Sequence, residues 1–371
     1  MYIQVLIIIL GFFALNIWGS ANSPHSQTLH KKYVIFMMML LTLQSGLRNV
    51  AVGTDTYSFY LQFVEVSDTS WGNLINNVLL FFSDGVGKDP GYFLLLKIIQ
   101  IIIPDFQMYL LAFAAFFFFA LGRLIYRYTS NNYEVLLGIA LYQCVFYSFF
   151  SITGLRQTFA TAFLLLSVPY VLDRKFLKFL LLAIIAGTQH KSALLFIPFY
   201  ALLSLNNPRR VIMSALILFL IMWGIGKTLV SSVVTDTIFA QYEMFLEEQE
   251  DAGATTFNMF ILGLGLWILF SEPKRIKASK SHVLLVNSIA ISIALTPLLK
   301  ITPANMRVVQ YYSIFSIILL PVLTTLTFNK KTRMMYILLI LFLTYYTMSK
   351  GLEYAFFWQD MELRDVYDDA N

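Results

Sequence analysis

Charge is the scarcest commodity in this chain. Asp, Glu, Lys and Arg make up 13% of its 371 residues, about half the share found in a soluble domain. That excludes a water-soluble protein, because a fold of this size has no means of hiding 58% hydrophobic residues from water. Cysteine is limited to Cys144, so no internal disulfide forms, and its apolar setting reads as packing. The signatures of metal and nucleotide chemistry are missing: no HExxH, no paired CxxC, no P-loop, no GxGxxG. An outer-loop DxD is missing too, so neither a catalytic metal nor another cofactor is expected. Period-2 alternation is absent, which argues against a transmembrane barrel. No internal repeat, low-complexity tract or separate soluble domain interrupts the chain.

What the chain does have is long apolar stretches. Mean hydropathy is +0.71, and the stretches run about 15–22 residues, the length a helix needs to cross hydrocarbon. The expected class is an all-α polytopic integral membrane protein. About twelve spans (range 11–14) are predicted near 2–19, 33–47, 107–126, 133–150, 156–172, 177–189, 192–205, 210–230, 256–271, 281–299, 307–328 and 333–350. The first lacks a basic leader region and is read as a retained helix. The segment 90–103, "PGYFLLLKIIQIII", is short and carries Lys97.

Charge decides how 90–103 is read. If it does not cross and the N-terminus lies outside, sixteen of the 26 Lys and Arg fall on inner loops, in clusters such as Lys31–Lys32, Arg123/Arg127 and Arg209–Arg210. Only Glu134, Asp173 and Glu272 of the 21 acids join them. This is the positive-inside pattern, and the net charge of +5 is therefore a topology signal rather than one for nucleic acid. A crossing at 90–103 would put Arg123 and Arg127 opposite the later clusters, so the segment is expected to be re-entrant or interfacial. The reading is a single transmembrane domain, 1–371, with both termini outside. Its outer cap is built from 48–106 and 231–255, and its acidic outer tail is 351–371.

Ten cations break this pattern, among them Lys88, Lys97, Lys227 and Arg364, and four lie in polar contexts at outer helix ends. These are Arg48 in "LRNVAVGTDTYSFY", Arg156 in "SITGLRQTFATAF", Lys191 in "GTQHKSALLFIP" and Arg307 in "KITPANMRVVQYY". A lone arginine at a helix end is commonly a snorkelling anchor. Several converging from different helices repel one another unless an anion lies between them. A phosphate or pyrophosphate fits, because guanidinium grips it bidentately and helix N-termini near Arg156 and Arg307 favour the same charge. The candidate acid–base residues are His190 and Asp55. His190 is the one histidine not on an inner loop, and neighbouring cations favour its neutral, proton-accepting form. Asp55 is equally a turn-former or an arginine partner, and His190 a helix-end polar group. The acidic pair Asp368–Asp369 reads as solvated tail.

Three motifs in order carry a family resemblance: "RNVAVGTDTYSFY" from Arg48, "GLRQTFA" from Gly154 and "HKSALLFIP" from His190. Together they resemble the EpsG family of membrane polysaccharide polymerases, grouped with the Wzy-type O-antigen polymerases. The resemblance covers roughly Arg48 to Arg307. It implies a GT-C-like glycosyltransferase working without metal or nucleotide at the periplasmic face of the bacterial inner membrane. Its substrate would be an oligosaccharide repeat unit on undecaprenyl pyrophosphate, used in O-antigen, lipopolysaccharide or exopolysaccharide biosynthesis. The growing chain would pass to the non-reducing end of a new lipid-linked unit. On this chain Arg48, Arg156, Arg307 and Lys191 would hold the pyrophosphate. His190 or Asp55 would take the acceptor's proton, and Tyr57, Tyr60 and Gln157 would meet sugars. Its other expected partners are membrane lipids and a chain-length regulator protein.

Rival classes predict different features. A flippase or exporter of lipid-linked oligosaccharide would place its cations in a central, alternately open cavity. A glycosyltransferase using polyprenyl-phosphate sugars would carry metal-binding acids in outer loops, which Asp55 alone only weakly allows. A membrane acyltransferase would set its histidine at a cytoplasmic or central acyl-donor site.

Overall fold

The computed structural model describes residues 3–18, 26–53, 55–84, 89–235, 254–271, 276, 279–300, 305–328, 331–351 and 353–363, but not the side chains of residues 82, 226–235, 254 and 300. Lys88, Arg364, Asp368, Asp369 and most of the expected outer loop 231–255 lie outside the described residues. All the regular structure described is helical. In chain order the helices are α1 (Ile3–Trp18), α2 (Ser26–Gly46), α3 (Thr56–Asp68), α4 (Trp71–Ser83), α5 (Pro90–Gln100), α6 (Phe106–Tyr128), α7 (Asn132–Leu141), α8 (Leu155–Leu172), α9 (Phe176–Gln189), α10 (Pro208–Thr235), α11 (Ala254–Phe270), α12 (Lys280–Leu295), α13 (Met306–Ser313), α14 (Ser316–Phe328) and α15 (Thr332–Ser349). Helix therefore covers every apolar stretch named from the sequence, with a 3₁₀ helix, Lys191–Ser204, over 192–205.

Four of the described helices are long and apolar enough to cross a membrane: Phe106–Tyr128, Leu155–Leu172, Pro208–Ile225 and Lys280–Leu299. A fifth crossing exists if α13 and α14, bent by 43°, count as one span. The chain is thus an all-helical protein of membrane character.

It divides into two compact units, one of Met1–Ser167, Leu181–Lys191 and Arg333–Asn371, the other of Val168–Leu180 and Ser192–Thr332. In the first, α2 and α6 lie side by side. A Cβ on Gly46 would fall 2.6 Å from the Leu111 backbone, and one on Gly122 2.6 Å from Met38. Only glycine permits that approach. An aromatic core joins α3, α5, α6 and α8, with Phe59, Phe63, Tyr92, Tyr109, Phe113 and Phe159 all buried. After α7 the helix widens into i→i+5 turns over Tyr142–Phe146 and Ser148–Thr153. The Cys144 carbonyl accepts from the Lys350 ammonium at 2.6 Å. In the second unit, Asn287 donates to the carbonyls of Leu202 and Leu205, which end the 3₁₀ helix. Phe199 stacks on Phe196 and Phe315 beside it.

Within 48–106 the structure places three helices. Ser70 caps α4 by accepting from the Asn73 amide. Lys97, which interrupts the apolar run 90–103, has a local task. Its ammonium donates to the carbonyls of Val66 (2.9 Å) and Ser67 (2.6 Å), and Gln100 donates to that of Phe63. These carbonyls lie in the last turns of α3, where the Val66 oxygen also takes the Thr69 amide and a cation complements the negative end of the helix dipole. Lys97→Met keeps the apolar stem and removes the cap. It should lower the thermal midpoint in detergent by the equivalent of about 1.5–3 kcal/mol, the usual worth of hydrogen bonds to a charged group. An unchanged midpoint would show that the cap contributes nothing.

Candidate functional site

The site is organised by a residue the sequence analysis did not single out, Asp89. The run Asp89-Pro90-Gly91 opens α5, and each residue has a separate reason to be there. Proline fits the first helical position and disfavours right-handed helix in the residue before it. Asp89 sits at φ 53°, ψ 49°, a left-handed conformation that aspartate tolerates better than most side chains. Gly91 lies against the end of α9, where a Cβ would come within 2.4 Å of Thr188 Oγ1. The start of α5 is thereby pressed onto the C-terminus of α9.

There α9 stops. The His190 amide still bonds back to the Ala186 carbonyl at 2.9 Å, but the next amide, of Lys191, donates to Asp89 Oδ1 at 2.9 Å. The other carboxylate oxygen, Oδ2, receives His190 Nδ1 at 3.0 Å and lies 3.2 Å from an Arg156 guanidinium nitrogen. Arg156 is the second residue of α8, with its guanidinium carbon 5.9 Å from the centre of the Tyr92 ring. Asp89 is 2% exposed and His190 8%. Three segments far apart in sequence thus meet at one buried carboxylate.

Burial alone would raise the Asp89 carboxyl. The hydrogen bond and charge of His190, the charge of Arg156 and the Lys191 amide outweigh it and hold the carboxyl below its ordinary 3.8. Its stabilising contribution is therefore complete above that value and fades as pH falls through the lower folded one. An ionised carboxylate only accepts, so the proton between the two groups belongs on His190 Nδ1. His190 Nε2 is then the free end of the ring. It is buried and meets no hydrogen-bond partner among the described residues. A carboxylate behind one nitrogen and an open lone pair on the other is an arrangement able to take up a proton, with Asp89 steadying the imidazolium that results.

Arg156, His190 and Lys191 are thus brought together, Lys191 through its amide. Its ammonium lies 5.7 Å from the centre of the Phe81 ring. Gln157 is buried next to Arg156 in α8. The anion that the converging cations demanded is here a protein group, Asp89.

Arg48 is outside that cluster. It is 1% exposed and donates to the Ser45 carbonyl and to Thr56 Oγ1. Its backbone is bridged to Phe356, with the amides of Asn49 and Phe357 bonded across to Ala355 and Leu47. The Tyr109 hydroxyl donates to that of Tyr92, the ring under Arg156, at 3.1 Å. Asp55 precedes α3 without capping it through its side chain, and makes no hydrogen bond or ion pair with the cluster. Tyr57 and Tyr60 stack on each other along α3, 6.0 Å between ring centres, and Tyr60 also meets Phe106 edge-on. Arg307 is half-buried at the start of α13, in the second unit. No group of three or more His, Cys, Asp or Glu among the described residues is placed to hold a metal ion.

The family model of the EpsG family matches residues 31–361, nearly the whole chain, and so takes in every candidate residue above. No curated protein and no solved structure matches the chain significantly.

Proposed function

Because the chain belongs to the EpsG family, we propose that it is a polysaccharide polymerase of the membrane glycosyltransferase type. Its donor is a growing glycan on undecaprenyl pyrophosphate, and its acceptor is the non-reducing-end hydroxyl of a new lipid-linked repeat unit. The work is done at the periplasmic face of the bacterial inner membrane, by a fold of about twelve spans and GT-C-like build. Its helix at Pro90–Gln100 is re-entrant rather than crossing, and both termini are periplasmic. The product is O-antigen or exopolysaccharide, made alone or with a chain-length regulator.

The observation that carries this reading is His190, backed by the buried Asp89 and without a hydrogen-bond partner at its buried Nε2 among the described residues. In the proposed step Nε2 takes the proton of the acceptor hydroxyl. The freed oxygen pair forms the new bond to the donor's anomeric carbon. The bond from that carbon to the pyrophosphate oxygen breaks, and its electrons leave with the pyrophosphate. The imidazolium, held by Asp89, later returns its proton to water. Arg156 stands beside the base, where its remaining donors face the charge that grows on the leaving group. Arg48, Arg307 and Lys191 are the further pyrophosphate candidates. Tyr57, Tyr60 and Gln157 are the sugar candidates, and Asp55 is the competing base.

The test uses the full chain, purified in detergent and supplied with an undecaprenyl-pyrophosphate-linked repeat unit. The expected result is a ladder of polymer lengths from the wild type and a loss of roughly 10²–10³ in rate with Arg156→Ala, the usual cost of removing one such donor. A folded wild type that binds the lipid-linked sugar yet makes no ladder would overturn the reading in favour of a transporter.

A further inference from the structure

An apolar groove runs along the face shared by α2 and α6, with a volume of about 650 Å³. Its walls are Val34, Ile35, Met38, Met39 and Leu43 on one side and Leu111, Ala115, Phe118 and Phe119 on the other. Apart from Tyr126 at one end, the one hydroxyl in its lining, Thr42, is already bonded to the Met38 carbonyl at 2.8 Å, so the wall between asks for no polar partner. One end differs. There Lys31 and Arg123 border the groove, beside Tyr126. Both cations are exposed, and neither is ion-paired to an acid among the described residues.

The dimensions select an occupant. Lys31 to Leu43 is twelve helical steps, about 18 Å of rise. One leaflet of bilayer hydrocarbon is about 15 Å deep, half of the full core. A slot of that length, apolar throughout and cationic at one end only, has the proportions of one acyl chain with a negative head group. We infer that the groove between α2 and α6 is a binding site for an anionic phospholipid, its chain along Met38, Met39 and Phe119 and its phosphate between Lys31 and Arg123. A zwitterionic lipid fills the same slot but brings its own cation to Lys31 and Arg123, which removes the electrostatic gain. This inference is independent of the reaction proposed above.

The test is native mass spectrometry of the delipidated full chain in detergent, titrated with phosphatidylglycerol or phosphatidylcholine. The expected result is tighter retention of phosphatidylglycerol, on the order of tenfold or more for two membrane-surface cations. That preference should vanish in Lys31→Ala/Arg123→Ala and persist in Arg209→Ala/Arg210→Ala, which removes two exposed cations remote in sequence from the groove. Ala115→Trp fills the groove with both cations in place and should remove the bound phosphatidylglycerol as well. Equal retention of the two lipids by the wild type, or a phosphatidylglycerol adduct that survives either groove variant, would overturn the inference.

Discussion

Asp89→Asn is expected to lower the rate of polymer formation by about 10²–10⁴, the range associated with losing general base catalysis, while leaving the protein folded. The substitution is isosteric, and an asparagine oxygen still accepts the Lys191 amide. What it changes is the partner of His190 Nδ1. An amide in place of the carboxylate no longer fixes the proton on Nδ1 and no longer steadies the imidazolium, so Nε2 is not held ready as an acceptor. Arg156 loses its counter-ion in the same stroke. His190→Ala is expected to fall equally far. The double variant should be no slower than either single one, because two groups acting as a unit lose their contribution once. Initial rates from the gel ladder, with each variant's thermal midpoint measured alongside, check this. A wild-type rate in Asp89→Asn would remove Asp89 from the mechanism. A wild-type rate in His190→Ala combined with a loss in Asp55→Asn would move the base to Asp55.

Much of the helical content was legible because it depends on local composition. A membrane-length apolar stretch can satisfy its backbone groups only within itself, and each such stretch is helical. Arg156 and His190 were also legible, since polar groups in apolar helices are costly and stand out. Asp89 did not stand out. In "KDPGYF" it reads as an ordinary turn aspartate, and its partner His190 lies 101 positions away, a separation no local pattern reports. The signal available was the Asp-Pro-Gly order itself: a left-handed residue, a first-turn proline and a glycine where another chain comes close.

Lys97 shows a similar limit. A lysine in an apolar run marks a poor span, but only the neighbouring α3 shows that it caps carbonyls. The expected meeting of Arg48, Arg156 and Arg307 rested on like charges needing a shared anion. Sequence position does not reveal that Asp89 serves Arg156, or that Arg48 spends its hydrogen bonds on Ser45 and Thr56. The helices α3 and α4 inside 48–106 are not legible as spans because at 13 residues each they are too short to cross hydrocarbon.

Arg48 supplies the second large effect, and it separates stability from function. Arg48→Met is expected to abolish most polymer formation, by about 10² or more, without lowering the thermal midpoint by more than the equivalent of about 1 kcal/mol. The reasoning starts from an imbalance. Arg48 is buried, and burial lowers its pKa to about 10, which leaves it charged at neutral pH. No acid is ion-paired to it among the described residues, and one guanidinium nitrogen, Nη2, meets no acceptor there. An uncompensated buried cation is a cost to the fold. Methionine, of similar length, relieves that cost and leaves only the Ser45 carbonyl and the Thr56 hydroxyl short of a donor, a loss of similar size and opposite sign. A residue that is expensive to bury and dispensable for stability is one kept for what it binds, and the unfilled Nη2 offers a bond to an incoming anion. Arg48→Lys should fall between the two, keeping charge but not the fork that grips two oxygens. A large fall in thermal midpoint with Arg48→Met would instead make Arg48 a strut that ties Leu47–Asn49 to Ala355–Phe357. Full activity in a stable Arg48→Met would end its candidacy as a pyrophosphate ligand.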